Sequence, residues 1–270
     1  MILSALHDPM GSAILEYQKT GDAARLRVLS SQFEEDEIPV PHLFRGIEEM
    51  PDLERAALDL AKGRVLDVGA GAGCHSIILQ SRGLDVTSVD ISPLSCEAMK
   101  LRGLRDVQCL DILEDGRARD SGHAVRSGED GQARDSGHAV RSEEDGRAWH
   151  HGYDTILMLM NGTGIAGTVE GLAPMLKTVS GLLAPGGSIL IDSSDLQYLY
   201  RNDDGSIDID LCGAYYGEVD YRMVYRNVKG KPFNWLYADF SLLHSAALKC
   251  GLSCEMVSEG EHYDYLARIY

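Results

Sequence analysis

From residue 51 onward, short contiguous apolar runs alternate with stretches whose apolar residues recur at helical spacing. Pro51 opens the first helix, with Leu53, Ala56, Ala57, Leu60 and Ala61 on one face and Gly63 as its stop. The pattern then predicts a strand over 64–68, a helix over 73–82, a strand over 84–90, a helix over 92–102 and a strand over Val107–Leu110. It resumes with an apolar strand over Tyr153–Met160 and a helix over 168–183. The turn Leu183-Ala184-Pro185-Gly186-Gly187 leads into a strand over Ser188–Asp192. Asp239 caps a helix to Lys249, and strands over 252–258 and 262–270 close the chain, with Tyr263, Tyr265, Ala267 and Ile269 alternating in the last. Continuous apolar runs, as opposed to alternating ones, belong to strands buried on both faces. Strands alternating with helices therefore predict an α/β fold with a parallel sheet.

Three stretches depart from this rhythm. Residues 1–50 form an N-terminal cap or lid segment, with a helix over Met10–Lys19, an alternating strand over Leu26–Ser30, and Pro39 and Pro41 barring a helix over Phe33–Ile38. An inserted hairpin over 213–238 is expected from Glu218–Tyr225 and Phe233–Tyr237, joined through Gly230-Lys231-Pro232. Between 114 and 148 the sequence repeats: Glu114–Gly128 and Glu129–Glu143 match at 13 of 15 positions, and a third copy begins at Glu144. Its only apolar side chains before Trp149 are Ala and Val. It reads as a disordered tandem-repeat insertion in which His123 and His138 belong to a solvated loop.

A chain of 270 residues, 44% hydrophobic and 25% charged, has enough apolar surface for one large α/β domain. The net charge of −17 and the lack of a basic stripe argue against nucleic acid as a partner. Six cysteines without a C-x-x-C pair, no basic leader and no 18-residue apolar run lead us to expect a reduced, cytoplasmic protein without a membrane partner. No metal site is expected.

The chemistry centres on Val65-Leu66-Asp67-Val68-Gly69-Ala70-Gly71-Ala72-Gly73, a buried strand followed by a glycine turn that opens a helix. In open α/β sheets ligands bind at the carboxyl ends of the strands. A dinucleotide fingerprint needs G-x-G-x-x-G/A, and Cys74 stands where the third glycine belongs. Asp90 ends the next strand, 17 residues after Gly73. That is close to the spacing at which an acid accepts both ribose hydroxyls of a cofactor.

This acidic-x-glycine-x-glycine-x-glycine pattern resembles motif I of the class I S-adenosylmethionine (SAM)-dependent methyltransferases. Asp90, Asp111-Ile112, the strand from Asp154 to Asn161 and the Pro185-Gly186-Gly187 turn follow in the family's order. The resemblance runs from about residue 51 to the C-terminus, the expected SAM-binding domain. Phe44-Arg45, Glu49-Met50-Pro51, Met160-Asn161-Gly162 and Asp192-Ser193-Ser194-Asp195 are similar to phrases of a bacterial branch of the family. The resemblance implies a Rossmann-like doubly wound, mostly parallel seven-stranded sheet with an antiparallel last strand.

It also implies roles. Gly69, Ala70, Gly71 and Gly73 would pass along the methionine portion of SAM, and Asp67 would hold its amino group. Asp90 would take the ribose hydroxyls, Asp111 would meet the adenine amino group, and Ile91 and Ile112 would sandwich the ring. Met160 and Asn161 would flank the sulfonium. Catalytic candidates at the strand ends are Asn161, Asp192, Asp195 and Tyr198, and Arg45 would meet either the cofactor carboxylate or a nearby glutamate. Asn161 is followed by Gly162-Thr163-Gly164, not by the Pro-Pro-aromatic sequence of nucleic-acid and protein amide N-methyltransferases. The expected function is methyl transfer from SAM to a small-molecule acceptor. An NAD-binding oxidoreductase and a catalytically inactive SAM-binding module are the alternatives.

Overall fold

The computed structural model describes residues 1–114, 152–202, 204–209 and 213–270. The repeat over 114–148 lies almost wholly outside the described residues, as does Cys212.

The main sheet starts from the strands that the apolar runs predict. They are β3 (Arg64–Val68), β4 (Asp85–Asp90), β5 (Asp106–Cys109), β6 (Tyr153–Met158), β7 (Leu183–Ser194), β11 (Cys254–Glu259) and β12 (Asp264–Ile269). Their spatial order is β11-β12-β7-β6-β3-β4-β5. The pairs among β5, β4, β3, β6 and β7 are parallel, and β12 runs antiparallel to both β7 and β11. The fold is therefore the mostly parallel seven-stranded α/β sheet expected, with its last strand antiparallel.

Successive side chains of the central strands point to opposite faces. Leu66, Val68, Ile156, Met158, Ile189 and Ile191 face a core completed by α5 (Val169–Ser180) and α6 (Phe240–Lys249). Val65, Leu157, Leu190 and Leu266 face the other core, against α2 (Asp52–Leu60) and α3 (Cys74–Ser81). A further helix, α4 (Pro93–Leu101), packs Cys96 and Met99 against Ala70 and Leu104.

A second, smaller antiparallel sheet joins the two ends of the sequence. It contains β1 (Leu26–Leu29), β2 (Asp36–Ile38), β8 (Glu218–Tyr225), β9 (Val228–Lys229) and β10 (Phe233–Leu236), ordered β10-β8-β1-β2 with β9 also on β8. Leu26 lies opposite Tyr225, so the N-terminal segment and the hairpin form one sheet. The N-terminal helix α1 (Pro9–Thr20) contributes Ala13 to the core of this sheet, with Leu26, Val40 and Tyr225. Its Ile14 and Leu15 pack with Ala98 of α4.

Several local expectations change. Val40–Phe44 is a 3-10 turn with Pro41 in its first turn, where the missing N–H costs nothing. In α2 the buried face carries Leu53, Glu54, Ala57 and Leu58, while Leu60 is exposed. The Leu183–Gly187 stretch belongs to β7, entered through a register shift against β6, with Gly186 at φ +78°. Tyr263 precedes the last strand and is exposed at φ +60°, so it does not join the alternation that buries Tyr265, Ala267 and Ile269. Cys74, Cys96, Cys250 and Cys254 are free thiols. Among the described residues no helix is long and apolar enough to cross a membrane.

Candidate functional site

The glycine turn sits at the carboxyl end of β3. Gly69, Gly71 and Gly73 all lie in the left-handed region, at φ +70°, +57° and +77°. Such angles suit a residue without a Cβ. The three glycines differ in what faces them. A Cβ on Gly73 would collide with Leu104, so that position is also fixed by packing. A Cβ on Gly71 would meet nothing nearer than the Gly69 carbonyl at 3.9 Å. The N–H groups of Gly69 and Ala70 both donate to the Val89 carbonyl, at 2.9 and 3.0 Å, which holds the turn across the end of β4.

Asp90, at that same end, accepts the Gly71 N–H at 2.8 Å and the Ser92 N–H at 2.8 Å. Burial pushes its carboxyl up to about 6 against the pull of those two amides. Asp67 is buried and accepts the Ser76 hydroxyl at 2.6 Å, and Ser76 in turn accepts from Ser88 at 2.7 Å. Burial raises the Asp67 carboxyl as well.

Ile91, beside Asp90, is 40% exposed, whereas Ile112 is buried in the main core. Asp111 accepts the N–H groups of Leu113 at 2.9 Å and Glu114 at 3.3 Å and is paired with the Met1 ammonium. Burial works against its charge, but the ammonium and the two amides hold the carboxyl below its ordinary value.

At the end of β6, Met160 and Asn161 also have left-handed backbones, at φ +66° and +61°. Two consecutive non-glycine residues in this region store strain, which the surroundings must compensate. Asp192, near the end of β7, does so by accepting the N–H groups of Met160 at 3.0 Å and Gly162 at 3.1 Å. Burial pushes the Asp192 carboxyl up to about 6 despite these bonds. Ser194 donates to Asn161 Oδ1 at 3.1 Å. Asp195 caps the 3-10 turn Leu196–Tyr200 through Gln197 N–H and also accepts the Tyr216 hydroxyl, both at 2.8 Å. Tyr198, in that turn, is exposed and stacks on Tyr263 with centroids 4.8 Å apart.

The small sheet reaches the same edge. Thr163, in the turn after β6, donates to the Leu236 carbonyl at 2.9 Å, and the Trp235 ring packs so closely on Gly164 that a Cβ there would collide with it. Tyr221 and Tyr237 hydroxyls lie 3.1 Å apart on the small sheet.

Of the two expected roles of Arg45, the salt bridge to a nearby glutamate forms, with Glu54, and His75 joins it in a buried charge cluster that sequence reasoning did not anticipate. Arg45 and Glu54 form an ion pair with both side chains buried, and His75 Nε2 lies 2.8 Å from Glu54 Oε2. Burial opposes Glu54's charge, but His75 and Arg45 hold its carboxyl below the ordinary range. Burial opposes the imidazolium too, yet Cys74, Glu54 and Asp67 raise the His75 pKa well above its usual value. The signal was a glutamate on the apolar face of α2, since a buried charge needs a partner.

The chain is similar to a SAM-dependent methyltransferase from Bacteroides fragilis, solved in complex with S-adenosyl-L-homocysteine. The two are 45% identical, with a TM-score of 0.82, and the match covers 100% of this chain and 97% of that one. The chain belongs to the SAM-dependent methyltransferases. Its sheet order and glycine turn are those of class I of that family. The CcbJ methyltransferase from Streptomyces caelestis shares the fold at 14% identity and a TM-score of 0.51, over 82% of this methyltransferase and 89% of its own chain. A 75-residue stretch is 37% identical to a ubiquinone biosynthesis O-methyltransferase of Xanthomonas oryzae pv. oryzae. The match spans 31% of the length of that curated relative and 26% of this chain. No model of a known protein family matches the sequence.

Proposed function

We propose that this methyltransferase binds SAM at the carboxyl edge of β3, β4 and β6 and transfers its methyl group to a small-molecule acceptor. The observation that carries the reading is the turn at Gly69-Ala70-Gly71, with open space before Gly71 and Asp90 at its side. A second observation fits the methionyl end of such a ligand. Arg45 Nε is buried and finds no hydrogen-bond partner among the described residues, leaving a cationic donor for a carboxylate.

In this reading Gly69, Ala70, Gly71 and Gly73 pass along the methionine portion, and Asp67 stabilises its amino group. Asp90 takes the ribose hydroxyls, with exposed Ile91 and buried Ile112 on either side of the adenine and Asp111 at its amino group. Met160 and Asn161 flank the sulfonium. SAM supplies a methyl carbon on a positively charged sulfur; the acceptor's lone pair bonds to that carbon in line as the carbon–sulfur pair returns to sulfur. The leaving group is already good, so the protein's part is alignment and exclusion of water.

Among the catalytic candidates, Asp192 serves as a positioning residue, because both its oxygens hold the Met160–Gly162 backbone. Asp195 is engaged by Gln197 and Tyr216. Asn161 and Tyr198 therefore remain the side chains best placed to meet the acceptor. The N-terminal segment over 1–50 and the hairpin over 213–238 form the lid of a domain that comprises residues 51–270. A cytoplasmic location and a small-molecule acceptor complete the proposal.

Isothermal titration with S-adenosylhomocysteine, SAM and NAD tests it. We expect binding of the first two only, and in the folded Asp90→Ala variant a loss of about 1.5–3 kcal/mol, the range for hydrogen bonds to a charged group. NAD binding without SAM binding would overturn it.

A further inference from the structure

The loop that follows Asp90 is clasped by the N-terminal segment. Asp8 is fully buried, 84 residues away in sequence, and accepts the Ser92 hydroxyl at 2.5 Å. Its other oxygen accepts the Gly11 N–H at 2.8 Å and so caps α1. The Ser92 hydroxyl accepts the Ser95 N–H at 2.9 Å, capping α4, while the Ser92 backbone N–H donates to Asp90. The remaining Asp90 oxygen accepts from Gly71. One continuous chain of hydrogen bonds therefore runs from the cap of α1 through Ser92 and Asp90 to the glycine turn.

Two features indicate that this approach is specified. A Cβ on Gly11 would collide with both Ser92 Oγ and Asp8 Oδ2, so only glycine at that position lets the helix start sit this close to the loop. A second tie lies one residue before Ser92, where Leu3 N–H donates to the Ile91 carbonyl at 3.0 Å. Burying a carboxylate is costly unless it is hydrogen-bonded, and burial does raise the Asp8 carboxyl. A group of this kind is an expensive way to cap a helix that ordinary Ser or Asn could cap at the surface.

We infer that Asp8 is a positioning residue for the cofactor site: acting through the Ser92 hydroxyl, it fixes the loop that aims the Asp90 carboxylate at the ribose. The inference rests on the SAM-binding reading above. It adds that docking of the N-terminal segment and ribose recognition are energetically coupled, so each strengthens the other.

The test uses the full chain. Kd is measured for S-adenosylhomocysteine and for its 2′,3′-dideoxy analogue, with Tm as a folding control. Ser92→Ala removes the relaying hydroxyl and keeps the backbone N–H that bonds Asp90. We expect Ser92→Ala and Asp8→Ala to raise the Kd for S-adenosylhomocysteine roughly ten-fold, the weight of one charged hydrogen bond. Neither should change the Kd of the dideoxy analogue, and Ser92→Thr should restore the wild-type value. If Asp8→Ala does not fold, Ser92→Ala and Ser92→Thr decide the matter. Equal losses for both ligands, or no loss, would overturn the positioning role. Asp90→Ala separates the two claims. If it weakens S-adenosylhomocysteine binding while Ser92→Ala does not, only the positioning inference fails. If Asp90→Ala binds as wild type, the ribose assignment fails and takes the inference with it.

Discussion

Asp192 Oδ2 accepts the backbone N–H of Met160 at 3.0 Å and so clamps the end of one parallel strand to the end of its neighbour. The residue held is the first of two consecutive non-glycine residues with left-handed backbones. Asp192→Ala should therefore do two things. It leaves the Met160 and Gly162 amides without their acceptor, which should lower unfolding free energy by about 1–3 kcal/mol in urea titration. It also frees the segment that would flank the sulfonium, so S-adenosylhomocysteine affinity should fall several-fold. A variant with wild-type affinity would show that this turn does not border the ligand.

The same carboxyl gives a pH dependence with a definite sign. Its folded pKa, about 6, lies above the ordinary 3.8. The folded state thus holds the proton more tightly than the unfolded one. The stabilisation is fully present below the ordinary value and is lost as pH rises through about 6. Asp192→Asn cannot titrate. Relative to that variant, wild type should lose on the order of 2 kcal/mol between pH 4 and pH 7.5. Tm measured for both proteins across this range checks it, and parallel curves would refute it.

The Arg45–Glu54–His75 cluster should be sensitive to its central anion. Glu54 is the shared partner of a guanidinium and an imidazole, all three buried. Glu54→Gln leaves two cationic groups facing each other in a buried site. Breaking a buried pair in this way typically costs about 3–5 kcal/mol. We expect a Tm drop that His75→Phe in the same chain partly reverses, because the second change removes one uncompensated charge. A Glu54→Gln protein as stable as wild type would show that the carboxylate is not needed to hold the two buried cations.

What could and could not be read from the sequence follows from the range of the interactions. The strands, α3 and the glycine turn were legible because a buried parallel strand writes an unbroken apolar run and a positive-φ turn demands glycine. Asp90 was found by its spacing from Gly73. The register that sets Leu26 opposite Tyr225 was not legible, since antiparallel pairing between strands almost 200 residues apart leaves no local trace. The 3-10 turn over Val40–Phe44 was not foreseen, because the prolines that keep residues 33–38 out of a helix also suit the start of a single 3-10 turn. Leu60 was placed on the buried face of α2 by its apolarity, whereas the cluster turned Glu54 inward and left Leu60 exposed. The role of Asp8 was not legible either, because nothing in its sequence neighbourhood points to Ser92, 84 residues further on.

The glycines of the turn should separate packing from ligand approach. Gly73→Ala places a Cβ against Leu104 in addition to straining the backbone, and Gly71→Ala meets only the strain. The strain alone is on the order of 1–2 kcal/mol. Gly73→Ala should therefore lower Tm more than Gly71→Ala. Gly71→Ala should show the larger loss of S-adenosylhomocysteine affinity relative to its loss of stability, because its methyl group would project into the space proposed for the ligand. Titration calorimetry and thermal melts on the two variants decide the ordering, and the reverse order would place the ligand elsewhere.

Removing residues 1–48 should not leave a clean open core. β1 supplies the partner edge of β8, and Ile14, Leu26 and Val40 fill the space between α1, α4 and Tyr225. Without them β8 becomes an unpaired edge carrying Met223 and Tyr225, a template for pairing with another chain. Arg45 is lost as well, which leaves Glu54 with His75 alone. Asp8 goes too, and with it the tie to Ser92. We therefore expect the truncated protein to associate in a concentration-dependent way by light scattering. It should bind S-adenosylhomocysteine more weakly than Asp90→Ala alone, since it loses the carboxylate partner in addition to the support of the ribose loop. A monomeric truncated protein with wild-type affinity would show that the N-terminal segment contributes nothing to the cofactor site.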